Sequence, residues 1–144
     1  MYDPIHPAQF LFTDDHPLTS QLNLEFTAQV NGETTIYIEA PKIFADEADN
    51  KLHQGFSTIL LDTAMGACAL AELKIPTAIA TIKLMTNHLR QPIVGEKLEC
   101  VATHISQHNE VSYQSGEIRS MDQGDVIASA IGTFMVGTSM TPAR

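Results

Sequence analysis

The sequence predicts an α+β fold in which an antiparallel sheet of five to six strands wraps around one long central helix. The helix is predicted from about Gln54 to Lys74, where Ala, Leu and Met predominate and apolar residues occur nearly all round. A helix of this kind is normally buried within a domain. The segments on either side alternate apolar and polar residues, which is typical of half-buried strands. A sheet curled around the helix satisfies both the alternation and the burial.

A hairpin is predicted before the helix. Residues 22–30 alternate apolar and polar side chains, and residues 34–40 return with their apolar side chains on one face. Between them, Asn31 and Gly32 supply the two positive-φ residues of a tight turn. Residues 1–20 contain three prolines and are expected to form an irregular arm or a short helix laid over the body of the domain.

Four strands in a meander are predicted after the helix, which Pro76 ends. The last strand carries Ala128, Ala130 and Gly132 at alternate positions, so it offers a face of small residues on which a helix can pack closely. Short turn signals separate the four segments. These segments are Thr77–Leu89, Glu96–Ile105, Val111–Ser120 and Val126–Val136.

Length and composition indicate a single globular domain covering residues 1–144. No run of about 20 uncharged apolar residues is present, and residues 1–6 lack the basic and apolar regions of a signal peptide. Cys68 and Cys100 are expected to be reduced and buried, which suits a cytoplasmic protein. The net charge of −9 argues against nucleic acid or an acidic membrane as a partner.

Asp62 is the only charged residue between Phe56 and Leu70. Burying an unpaired carboxylate costs several kcal/mol, so such a residue normally needs a partner or a function. His53 stands nine positions upstream, where the helix is expected to begin. A histidine and backbone donors at a helix start, followed by a carboxylate about two turns later, form a candidate catalytic pair. A structural role for Asp62 remains open, at a solvated edge or bonded to a hydroxyl such as that of Thr58 or Thr81.

The stretch from His53 to Asp62 resembles a motif of the hotdog-fold acyl-CoA thioesterases related to the phenylacetate-pathway thioesterases. That family typically carries His-Gly-Gly, four variable residues, Leu, one variable residue and Asp, and this chain has His, Gln, Gly, four residues, Leu, Leu and Asp. Downstream, the family often shows a strand that ends in an aromatic residue followed by Leu-Arg-Pro. The matching residues here are His88-Leu89-Arg90-Gln91-Pro92. The resemblance covers about His16 to Val136 and implies the hotdog fold.

Several positions depart from the family pattern. Gln54 replaces the first glycine, although the backbone N–H of any residue except proline can act as an oxyanion donor. Glu47 stands where the family usually has an asparagine that makes polar contacts to the thioester. Asn50 lies nearby in sequence and would serve in its place if the loop is reshaped, so Glu47 and Asn50 are both candidate substrate-binding residues. Lys83 occupies a position that is commonly acidic, and Gln91 looks like an insertion before the proline. These changes suggest an altered substrate or a loss of activity.

The resemblance implies hydrolysis of an acyl-CoA thioester to a free acid and CoA. The N–H of Gln54 would polarise the carbonyl, with that of Gly55 as a further candidate donor. The first N–H groups of a helix have no intrahelical partner and lie at the positive end of its dipole. His53 would orient this turn or bond near the thioester. Asp62 would act as general base toward water, and Thr81 would hold that water. Direct attack of Asp62 on the carbonyl is the less favoured alternative.

An obligate homodimer is expected, and it is expected to assemble further into a tetramer. Nine residues of helix separate His53 and Asp62 by about 13 Å, so the two cannot flank one carbonyl within one chain. In the family that this chain resembles, two hotdog domains pair. Each site then takes its Asp from one chain and its helix start from the other.

The substrate pocket is expected near Met65 and Gly66, although Met65 is also typical of a core filler. Lys83 and Arg90 are interpreted as guides for the CoA phosphates, or alternatively as a solvated strand edge. The acyl group stays open between aryl and medium-chain aliphatic, as does the choice between CoA and a carrier protein. The histidines show no metal-ligand spacing, and no metal or cofactor is expected.

Two other functions remain as alternatives. A hotdog module could bind acyl-CoA without cleaving it, although the retained Asp62 favours hydrolysis. A hotdog dehydratase usually shows His, an aromatic residue, Pro and Gly together, and the residues from His53 to Phe56 lack that proline.

Overall fold

The computed structural model of this chain describes residues 17–22, 24–27, 29–75 and 77–137. The predicted arm over residues 1–20 therefore lies outside the described residues, except for the short helix α1 that begins at Pro17. A single 3₁₀ turn, Lys42–Phe44, follows the first hairpin. The helices and strands are α1 Pro17–Gln21, β1 Glu25–Phe26, β2 Glu33–Glu39, α2 Gly55–Ala71, β3 Ile79–His88, β4 Lys97–His108, β5 Val111–Ser120 and β6 Val126–Val136.

The described strands form one antiparallel sheet in the order β1-β2-β4-β5-β6-β3, as the predicted fold class requires. The predicted meander holds for β4, β5 and β6 but is wrong for β3, which pairs with β6 and not with β4. β2 pairs with β4 on the side of β4 that faces away from β5, with Ile36 opposite Cys100. Since α2 lies between β2 and β3 in the chain, it carries the chain across the sheet, and β3 becomes the opposite edge strand.

The first predicted strand is much shorter than residues 22–30. β1 comprises Glu25–Phe26. Just beyond it, the Thr27 N–H donates to Thr35 O at 2.9 Å, and the Thr27 hydroxyl accepts the Thr35 N–H at 3.1 Å. The predicted tight turn is present at Asn31 and Gly32, with φ angles of 52° and 76°.

Helix α2 packs closely on one face of the sheet through glycines on neighbouring strands. A Cβ atom added at Gly132 would lie 3.1 Å from Met65 Cε, and one at Gly116 would lie 3.2 Å from Met65 Cγ. Ala128 and Ala130 are buried beside Gly132, so the small-residue face of β6 packs as expected. Both cysteines are free and buried, as predicted.

The helix is shorter than predicted and its burial is uneven. It spans 17 residues, or about 25 Å, and eleven of them are buried. Across the described part of the chain, no helix is long and apolar enough to cross a membrane. One stripe of α2 stays only half-buried, at Gly55, Thr58, Ile59, Asp62 and Gly66.

Candidate functional site

The half-buried stripe of α2 faces the inner side of the edge strand β3. Gly66 lies against Ile79, whose Cδ1 is 3.6 Å from where a Cβ of residue 66 would be. One helical turn earlier, Asp62 meets Thr81. The stripe has the spacing of three and four residues that aligns side chains on one helix face. The helix and the edge strand therefore bring the predicted pair Asp62 and Thr81 together.

The carboxylate of Asp62 is oriented by a hydroxyl. Thr81 Oγ1 donates a hydrogen bond to Asp62 Oδ1 at 2.8 Å, and Asp62 itself is half-buried. Within the described residues, its second oxygen, Oδ2, has no hydrogen-bond partner. A carboxylate with one oxygen held and the other unpaired can accept a proton in a fixed direction.

The start of α2 holds the predicted histidine in a defined tautomer. The Gly55 N–H donates to His53 Nδ1 at 2.9 Å. A neutral imidazole that accepts at Nδ1 must carry its proton on Nε2, so the exposed ring of His53 presents an Nε2–H donor. The Gly55 N–H is thereby committed to His53. The Gln54 N–H has no partner in the parts of the chain that the structure describes.

Two clefts flank the start of the helix. One, of about 530 Å³, is lined in part by Phe44, His53 and Ile59. The other, of about 350 Å³, is lined by Lys51, Gln54, Arg90, Gln91, Ile93 and Gln123. A larger cleft of about 670 Å³ runs along β2 near the far edge of the sheet, and no predicted site residue lines it.

Three predicted substrate residues lie in other surroundings. Met65 is fully buried between α2 and the sheet, so it fills the core, which was the alternative to a place in the substrate pocket. Asn50 is exposed and adopts a φ of 57°, and its backbone bonds to Asp46 O and to the Val94 N–H, each at 2.9 Å. Glu47 is exposed in the same loop.

Arg90 is held in an ion-pair cluster with Glu96 and Asp125. Its five N–H groups all have acceptors: two on Glu96, two on Asp125 and the Gln91 carbonyl, at 2.6 to 3.3 Å. The hydrogen bonds to Asp125 and Glu96 raise the pKa of Arg90 above its usual value. The predicted contact with CoA phosphates gets no support from this arrangement, because no N–H is left for a phosphate. Lys83 is exposed on β3.

The carboxylates of the cluster respond to Arg90 in the expected direction. Burial raises the pKa of Glu96, but hydrogen bonds from Arg90, Ser120 and the Ile93 N–H outweigh it and leave that pKa below its usual value. The hydrogen bond from Arg90 likewise lowers the pKa of Asp125. The three side chains therefore stay ionised together at neutral pH.

The structure brings two further residues to the site that the sequence analysis did not place there. His88 Nε2 lies 3.4 Å from Thr58 Oγ1, one helical turn before Asp62 on the same stripe of α2. Gln91 contacts the residue that precedes His53. Each had a signal in the sequence, because His88 stands where the resembling family has an aromatic residue and Gln91 is the apparent insertion.

Comparison with known proteins identifies the family. The family model of the thioesterase superfamily matches residues 50–127, more than half of the 144 residues. The chain belongs to this superfamily. The match includes both the start of α2 and the Asp62–Thr81 pair. No curated protein matches this member of the thioesterase superfamily significantly in sequence.

Solved structures share the hotdog fold of this superfamily member. The PaaI protein from the phenylacetic acid degradation operon of E. coli superposes with a TM-score of 0.79 at 16% identity, over 92% of this chain and 91% of that chain. A Haemophilus influenzae thioesterase superposes with a TM-score of 0.80 at 17% identity, over 100% of this chain and 97% of that chain. A mutant of the phenylacetic acid degradation protein PaaI from Thermus thermophilus superposes with a TM-score of 0.72 at 19% identity, over 84% of this chain and 99% of that chain. At these identities, the likeness extends to the fold alone.

Proposed function

We propose that the protein hydrolyses an acyl-CoA thioester to the free acid and CoA, with Asp62 as the general base. The observation that carries this proposal is the Asp62–Thr81 pair on the open stripe of α2, in a chain that belongs to the thioesterase superfamily. The hydrogen bond from Thr81 fixes one carboxylate oxygen. The other then takes a proton from water as the water oxygen attacks the carbonyl carbon.

The carbonyl oxygen becomes negatively charged in the tetrahedral intermediate and needs donors that are already oriented. The Gln54 N–H and the Nε2–H of His53 supply two such donors at the positive end of α2. Loss of one oriented donor typically lowers the rate about 10²- to 10³-fold. When the intermediate collapses, the carbon–sulfur bond breaks and Asp62 returns its proton to the leaving thiolate.

Two chains are proposed to complete each site. The proposed donor Gln54 and the base Asp62 are eight residues apart, or about 12 Å along the helix axis, which is too far for both to reach one carbonyl. Within the described residues, β3 is an edge strand that pairs on one side only. This supports pairing with a second copy, since edge strands are normally covered or protected by charge. Ile82 and Met85 on β3, and Leu89 directly after it, are exposed by 51%, 52% and 66%.

The proposed substrate has an apolar acyl group carried by CoA. The cleft beside His53 has Ile43, Phe44 and Ile59 in its lining, which suits an alkyl or aryl group. Lys83 remains the proposed contact for the CoA phosphates. If pantetheine thioesters turn over as well as CoA thioesters, Lys83 has no such role.

The test is thiol release by the native protein from a panel of aryl and aliphatic acyl-CoAs, with product analysis. Free thiol together with free acid is the expected result. Single turnover in ¹⁸O-labelled water should place the label in the acid and leave Asp62 unlabelled, since a general base forms no acyl-enzyme. Bound acyl-CoA without thiol release would indicate the binding module instead, and an enoyl product would indicate a dehydratase.

A further inference from the structure

The segment 90–93 is anchored to the body of the sheet. Arg90 makes side-chain hydrogen bonds to Glu96 and Asp125, and its N–H bonds to Ile127 O at 3.2 Å. The Ile93 N–H donates to Glu96 Oε2 at 3.0 Å. Both ends of this short segment are thus fixed to neighbouring elements, so its middle residues have a defined position.

Gln91 connects this anchored segment to the chain just before α2. Its Nε2 donates to Leu52 O at 3.0 Å, and the Leu52 N–H donates to Pro92 O at 2.8 Å. A backbone carbonyl can only accept, so the Gln91 amide must present its nitrogen to Leu52. Lys51 and Ile93 pair in a β-bridge beside these two bonds.

Leu52 is a fixed residue at the start of the turn that carries the proposed carbonyl-polarising donors. It is fully buried and directly precedes His53 and Gln54, which carry the two proposed donors. The His53 N–H bonds to Phe44 O at 2.9 Å, on the other side of the turn. Gln91 also lines both clefts that flank the start of the helix. A shift of the Leu52 carbonyl would move both donors.

We propose that Gln91 is a positioning residue, which holds the Leu52 carbonyl and so sets where the donors of His53 and Gln54 lie. The inference rests on the proposed thioesterase function. Donors that act on charge developing in the transition state affect kcat more than KM. Misplacing a catalytic group by about 1 Å can lower the rate about 10²-fold. Loss of the Gln91 bond should therefore lower kcat about 10- to 100-fold and leave KM within about twofold.

The experiment compares Gln91→Met, which loses the donor without adding charge, with Gln91→Lys, which keeps a donor on a side chain of similar length. Gln123→Met is the matched control, because Gln123 lines the same cleft and the bond to the Leu52 carbonyl comes from Gln91 instead. Steady-state kcat and KM are measured with the best CoA thioester, and Tm is measured alongside. If Gln91→Met does not accumulate as folded protein, Gln91→Glu replaces it.

A lower kcat in Gln91→Met at nearly native KM, with most of the loss restored in Gln91→Lys and no effect in Gln123→Met, supports the inference. Native kcat in Gln91→Met overturns it, and so does a loss of kcat that follows Tm and is not restored by lysine. If the native protein releases no thiol from any thioester, the proposed function fails together with this inference. Native turnover with an unaffected Gln91→Met overturns the inference alone.

Discussion

Replacing Arg90 by methionine should destabilise the fold strongly, because it leaves Glu96 as an uncompensated buried charge. The side chain of Glu96 is only 4% exposed, whereas that of Arg90 is 26% exposed. Removing one member of a buried ion pair typically costs about 3–5 kcal/mol. Arg90 is partly solvated and Glu96 keeps the Ile93 N–H, so we expect the lower end, about 3 kcal/mol.

The double variant Arg90→Met/Glu96→Gln provides the control. It removes the whole pair, so no buried charge remains, and it should be more stable than Arg90→Met alone. A matched exposed pair is Arg119 with Glu117, whose side chains are 43% and 46% exposed. Arg119→Met should therefore cost less than about 1 kcal/mol.

The assay is urea unfolding at one fixed protein concentration, since pairing of chains would otherwise shift the transition. With an m-value of about 1–3 kcal/mol/M, a loss of about 3 kcal/mol moves the midpoint down by about 1–3 M. A midpoint for Arg90→Met close to the native one would refute the reasoning. A double variant less stable than Arg90→Met would refute it as well.

Three further predictions concern single side chains. A Cβ at Gly55 would lie 2.9 Å from His53 Nδ1, so Gly55→Ala should displace the imidazole. The kcat should then fall at least about 10-fold in steady-state kinetics, and a native kcat would contradict this prediction. Thr81→Val removes the only described donor to Asp62, so kcat should fall about 10-fold at unchanged KM in the same assay. The pKa of Glu96 is lowered in the folded protein, so its charged form stabilises the fold at neutral pH, and this stabilisation is lost as the pH falls below the usual value of about 4.5. The free energy of unfolding, measured against pH, should therefore fall less steeply in acid for Glu96→Gln than for the native protein.

Local pattern was enough to predict the elements whose side chains alternate cleanly. β5 and β6 begin and end at the residues that alternation and turn signals indicated. The Asn31-Gly32 turn followed from the positive φ that such a turn requires. The position of β3 could not be predicted this way, because alternation states that a strand forms and not which strand it pairs with.

The site could be predicted only as far as neighbours in sequence define it. His53, Gln54, Asp62 and the helix start lie within ten residues, so helix geometry relates them directly. The partners of Arg90 lie 6 and 35 residues away and meet it only after the sheet closes. Its ion-pair cluster could therefore not be predicted from the sequence, where Arg90 resembles a surface cation.

The most direct test of the account is the rate of thiol release by Asp62→Asn with the best CoA thioester. The variant keeps the size of the side chain and removes the base, so the rate should fall at least about 10²-fold while Tm stays near the native value. Glu72→Gln, at the other end of the same helix, serves as the matched control and should turn over at the native rate. A native rate in Asp62→Asn would contradict the assignment of Asp62 as the general base.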